Sequence, residues 1–104
     1  MKIDFSARIV NLDGEPVEEN GVVLTLGSLS INALLATLAD LRGQTEQLPG
    51  TEKVRQATLA QKIHTEGSVD LSAEDITMLK DRIGRAYSPL AVMQAWQLLD
   101  PASP

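Results

Sequence analysis

His64 is the single histidine of the chain, and cysteine is absent. A nucleophilic triad would have to be built on that one imidazole, and no Gly-x-Ser-x-Gly elbow supplies its serine. Zinc needs several thiolates or imidazoles, so these residues cannot assemble a zinc site. In the run Lys62-Ile63-His64-Thr65-Glu66, His64 falls at the expected end of a helix, where a cation complements the helix dipole. Carboxylates are more numerous but miss any ligand spacing. Asp13, Glu15, Glu18 and Glu19 surround a loop without the alternate positions and terminal glutamate of a calcium loop, so they read as a solvated acidic face. Asp70, Glu74 and Asp75 gather where a helix begins, which is a structural use of negative charge. Gly27-Ser28 sits at a strand-to-helix junction whose N–H groups could receive an anion. A phosphate loop would need further glycines and a lysine there, so Ser28 is read as a cap. No catalytic, cofactor-binding or metal-binding residue is assigned. The expectation is a protein that is not an enzyme and takes no cofactor.

The stretch that asks for a function is the last helix. From Ala86 to Leu99 there is no charged residue. Projected on a helix, only Gln94 and Gln97 mark a polar side, whereas a surface helix carries charge opposite its apolar stripe. Two arrangements satisfy such a helix: it is central to its own domain, or part of it is covered by another subunit. The second makes Tyr87, Leu90, Met93 and Trp96 the candidate protein interface, since aromatic residues and Met are enriched in binding cores. Met93, beside the Gln97 edge, is the apolar residue best placed to face a partner. The partner is then a protein, a second copy of the chain being the simplest. An alternative working face is basic: Lys80, Arg82 and Arg85 fall close together on the preceding helix and would suit a small nucleic-acid-associated regulator.

Charge argues against that alternative. The net charge is −5, and residues 1–40 set Lys2 and Arg8 against Asp4, Asp13, Glu15, Glu18, Glu19 and Asp40. An acidic chain lacks the electrostatic footprint that dominates nucleic-acid affinity and gains nothing at an anionic membrane surface. Asn20 to Ala39 is uncharged for twenty residues, long enough to raise the question of a membrane span. Its period changes midway, however, so it reads as a strand followed by a helix. The opening Met-Lys runs into an alternating pattern with no apolar signal segment. A cytoplasmic location follows as the expectation, with which the missing cysteines agree.

The elements that must position these residues are legible. With 104 residues, 43% apolar and 22% charged, the chain is expected to form one domain over residues 1–100, with 101–104 a short tail. Phe5, Tyr87 and Trp96 are its only Phe, Tyr or Trp residues, so the core must come from aliphatic side chains. Ile3, Phe5, Ala7 and Ile9 alternate with Lys2, Asp4, Ser6 and Arg8, the period of a strand buried on one side. Asp13-Gly14 marks a turn. Val22 to Leu26 reads as a second strand, antiparallel to the first. Ile31, Leu34, Leu35, Leu38 and Leu41 predict a helix from a Ser28 cap to about Arg42, ended by Gly43.

A second helix is expected over about Thr51 to Thr65, closed by Gly67. Ser72, with Asp75 three residues on and the Leu71/Ile76 pair, predicts a capping box and hydrophobic staple for a third helix. Its buried stripe is Ile76, Leu79, Ile83 and Ala86, and Asp81 and Arg85 form an i,i+4 pair on its outer side. Gly84 in its interior marks close approach of a neighbouring element. Ser88-Pro89 starts the fourth helix, with proline where its missing N–H does no harm. The fold class is therefore α+β and mostly helical: an N-terminal β-hairpin followed by about four α-helices. Phe5, Leu34, Leu38, Leu79 and Ile83 are expected to share one core.

Leu24-Thr25-Leu26-Gly27-Ser28 with Asn32-Ala33-Leu34-Leu35-Ala36 resembles small, uncharacterised proteins encoded by tailed bacteriophages and prophages. So does Val69-Asp70-Leu71-Ser72-Ala73-Glu74-Asp75-Ile76, continued by Leu79-Lys80, Ile83-Gly84-Arg85-Ala86-Tyr87-Ser88-Pro89-Leu90 and Ala95-Trp96. The likeness is one of pattern and order over most of residues 1–100, and it carries no functional residue across. It implies a setting, the cytoplasm of a bacterial host, and a non-enzymatic role in particle assembly or on a host or phage protein.

Overall fold

The alternation at the N-terminus does what its period demands. Ile3, Phe5 and Ile9 are buried, while Lys2, Asp4, Ser6 and Arg8 are exposed. The computed structural model describes residues 1–19, 21–36, 38 and 43–100. In order these form β1 (Lys2–Asp4), β2 (Glu18–Glu19), β3 (Val22–Val23), α1 (Leu26–Leu35), α2 (Gly50–Glu66), β4 (Ser68–Asp70), α3 (Ala73–Ala86) and α4 (Pro89–Leu99). The chain is thus an α+β, mostly helical fold, with a hairpin near its N-terminus and four helices among the described residues.

The hairpin pairs β2 with β3, Glu18 opposite Val23 and Glu19 opposite Val22. The expected long first strand divides its pairing. Its second half meets the segment before α1, through an antiparallel bridge between Arg8 and Thr25. Its first half, β1, pairs antiparallel with β4, Ile3 opposite Val69. β4 was not expected, because three residues are too few to show a period. Gly67 turns the chain into it: its φ of 72° closes α2, and its N–H bonds to Ile63 O at 3.0 Å.

α1 departs from expectation at both ends. Thr25 is its cap and Ser28 the reciprocal partner in a capping box, so the helix begins before Ser28. Gly27 is required there: a Cβ would stand 3.0 Å from the Phe5 carbonyl oxygen, which accepts the Gly27 N–H at 2.8 Å. The core face is consequently Leu26, Leu29, Ser30, Ala33 and Leu34, with Ile31 half-buried and Leu35 exposed. The helix stops at Leu35, where Ala36 turns extended, and Gly43 belongs to a later loop. Leu38 is half-buried and outside the helix, so it is not a core residue as expected. Leu41, Arg42 and residues 101–104 lie outside the described residues.

α2 and α3 keep their expected spans. α2 turns Gln56, Leu59, Ala60 and Ile63 inward and leaves Val54 exposed. α3 carries the expected Ser72/Asp75 capping box. Its buried residues are Leu79, Arg82 and Ile83, and Ala86, expected inside, is exposed. The side chains of Ile3, Phe5, Ile9, Leu26, Leu29, Leu79, Ile83 and Leu99 meet in one core, to which every helix contributes. α1 packs on α2 and α3, and α4 packs on α3. No helix among the described residues is long and apolar enough to cross a membrane.

Candidate interaction surfaces

The four residues of the candidate interface do not share one face. α4 buries Ala91, Ala95 and Leu99, at steps of four residues, and this is its seam with the core. Met93 and Trp96 point away from that seam, exposed by 50% and 40%. α4 is therefore neither a central helix nor covered all round by its own chain. Tyr87 and Leu90, at its N-terminal end, are half-buried and turn elsewhere.

Trp96 is held firmly for an exposed side chain. Its indole Nε1 donates to the Lys80 carbonyl oxygen at 3.0 Å. Lys80 Nζ lies 4.8 Å from the ring centroid, a cation–π distance, and the Lys80 ammonium also stands 3.8 Å from the Asp100 carboxylate. The ring passes over Gly84, whose added Cβ would sit 3.5 Å from Trp96 Cζ2. A neighbouring element does lie over Gly84, but at ordinary contact distance, so the packing does not require glycine there. Trp96, Gly84, Thr77, Lys80, Asp81 and Arg85 line a groove of about 390 Å³ along the α3–α4 seam.

Gln94, expected at a solvent-facing polar edge, is instead a strut. Its Oε1 accepts the Val10 N–H at 2.9 Å and its Nε2 donates to Val10 O. Val10 bridges Pro16 through its neighbours, and the side-chain amide takes up the N–H and C=O of Val10 itself, tying α4 to the N-terminal segment. Beside it, Ile9 N–H donates to Leu24 O, Val17 N–H donates to Ile9 O, and Leu24 N–H donates to Val17 O, at 2.7–2.9 Å. This closed triangle of backbone bonds frames a second concavity, of about 190 Å³, to which Tyr87 and Leu90 turn. Burial raises the Tyr87 phenol above its ordinary value, a hydrogen bond with Asn32 works against that, and the charge of Glu19 adds to it.

Lys80, Arg82 and Arg85 do not form one basic face. Arg82 is 3% exposed, with Nε on Ala33 O at 3.2 Å, Nη2 on Ala36 O at 2.6 Å and Nη1 on the Glu46 carboxylate. Arg85 reaches the other Glu46 oxygen at 2.9 Å and Asp81, the expected i,i+4 partner, at 3.8 Å. Burial pushes the Glu46 carboxyl up, but hydrogen bonds and charge from both arginines outweigh it and hold the group below its ordinary value. A charged residue on α3 therefore caps the open C-terminal carbonyls of α1. No periodicity signals this, since arginine reads as surface.

Other acidic groups serve the fold, Asp70 by holding the N-terminal ammonium at 2.8 Å. Asp13 accepts the Glu15 N–H at 3.0 Å within its loop. Asp75 joins Arg55 at 3.1 Å and the Ser72 cap, and His64 is exposed in the last turn of α2. The first-turn N–H groups of α1 at Gly27-Ser28 receive no anion, being taken by Ala7 O, Phe5 O and the Thr25 hydroxyl. No three His, Asp or Glu residues among those described are grouped to hold a metal ion. No family model, curated protein or solved structure matches the chain.

Proposed function

We propose that this chain is a non-enzymatic interaction protein that works through the outward face of α4, with a second copy of itself as the partner. The observation that carries the reading is Trp96, which is 40% exposed yet fixed by the Lys80 carbonyl and the Gly84 notch. Trp is among the residues that most often anchor interfaces, and a side chain already ordered loses less freedom on binding. Met93 stands on the same face, three residues away and exposed. A projecting side chain beside a groove is what a two-fold contact needs, because each copy offers both parts.

Charge supports the same partner. Ala86 to Leu99 carries no charged residue, and the groove beside it mixes Lys80 and Arg85 with Asp81, so a two-fold contact there does not set a single sign of charge against itself. The setting in a bacterial cytoplasm, with a role in particle assembly or on a host or phage protein, rests on the sequence resemblance. Sedimentation equilibrium with a melting curve tests the reading on Met93→Lys. The wild type should be dimeric, with a melting temperature that rises with concentration, and the variant should be a folded monomer that loses only what association contributed. A wild type that stays monomeric at high concentration would overturn it.

A further inference from the structure

We propose that the concavity between the N-terminal segment and the start of α4 receives a single apolar side chain of a partner protein segment, flanked there by lysine or arginine. The floor is Ile9, Leu24 and Ala91, all buried, and the walls are Val17, Tyr87 and Leu90. At about 190 Å³ it is smaller than the roughly 300–1,000 Å³ typical of small-molecule sites. One leucine- or phenylalanine-sized side chain suits it better than a metabolite does.

The rim decides the flanking chemistry. Glu18 and Glu19 border the opening and are exposed. Neither forms an ion pair among the described residues. Asp13 and Glu15, also exposed, add negative charge to the preceding loop. An apolar hole behind two carboxylates selects against acidic segments and attracts basic ones. The backbone triangle of Ile9, Val17 and Leu24, with the Gln94 strut on Val10, holds the hole open before anything enters. Such preformed geometry lowers the ordering cost of binding. A second copy of this chain is a poor occupant of this site, because the same acidic rim would oppose it.

The probe is a capped peptide with one leucine between lysine and arginine, acetyl-GKLRG-amide, titrated into the isotope-labelled full chain and followed by amide NMR shifts. Shifts should saturate at Ile9, Val17, Leu24 and Leu90, weaken as salt is added, and vanish for acetyl-GELEG-amide and acetyl-GKGRG-amide. Glu18→Lys with Glu19→Lys, both on exposed positions, should weaken binding by about tenfold while leaving the unbound spectrum folded. Met93→Lys should bind the peptide as the wild type does, which separates this site from the dimer face. No saturable shift at these residues, or equal shifts with the acidic peptide, would overturn the proposal.

Discussion

α3 and α4 lie side by side and invert the usual arrangement in opposite directions. α3 carries a charge inward: Arg82 is 3% exposed and all of its polar reach is used, on two carbonyls of α1 and on Glu46. α4 carries hydrocarbon outward, with Met93 and Trp96 at 50% and 40% exposure. The first inversion is compensated within the chain, since each guanidinium nitrogen of Arg82 has an acceptor. The second is not, since nothing described in the chain covers the α4 face. A compensated inversion is architecture, whereas an uncompensated one calls for something outside the chain.

The comparison breaks first at Arg82. Arg82→Met would leave the Ala33 and Ala36 carbonyls without their donor and Glu46 with one arginine. Breaking a buried ion pair in this way costs about 3–5 kcal/mol, readable as a shift of the denaturant midpoint. A loss below about 1 kcal/mol, the worth of a surface pair, would mean that the inward charge is no more structural than an outer one.

Acid probes the same cluster from its other partner. The folded Glu46 carboxyl titrates below its ordinary 4.5, so the unfolded chain takes up the proton first. The stability from this group is complete above about pH 4.5 and is lost as pH falls through the lowered folded value. One such group gives a slope of at most about 1.4 kcal/mol per pH unit. Melting curves across that range should show the fall, and Glu46→Gln should flatten it. An unchanged slope in Glu46→Gln would place the acid sensitivity elsewhere.

The smallest effect sharpens the α4 side. Gly84 is exposed inside α3, and an added methyl would meet Trp96 at ordinary contact distance, 3.5 Å. Gly84→Ala should therefore raise stability by about 0.5–1 kcal/mol through helix propensity alone. A loss instead would show that Trp96 sits in a notch that tolerates no filling.

What could be read in the sequence was what neighbouring residues decide. The Ser72/Asp75 box, the Gly67 stop, the Ser88-Pro89 start and the Ile3/Phe5/Ile9 alternation all act within a few residues, and each is found in the structure. What stayed hidden depended on distant partners. β4 is too short for a period, and its pairing with β1 spans most of the chain. Gln94 looked like a solvated edge because its partner, Val10, lies 84 residues away. The apolar composition of α4 marked the helix as one to account for. It could not say that α3 and the Val10 segment cover only part of it, which is why Tyr87 and Leu90 separate from Met93 and Trp96.

The end of α1 has a consequence for how the chain acquires its shape. No glycine or proline stands among the seven residues after Leu35 to stop the helix, and its terminal carbonyls are claimed by Arg82, which lies 46 residues beyond Ala36. Synthesis delivers residues from the N-terminus at about 5–20 per second. For the seconds before Arg82 emerges, nothing supplies the side chain that fixes this boundary. Hydrogen exchange pulsed early in refolding should find the Ala36 turn unprotected while the Ser72-capped start of α3 is already slow to exchange. That result would place the stop of the first helix among the last features of the fold to form.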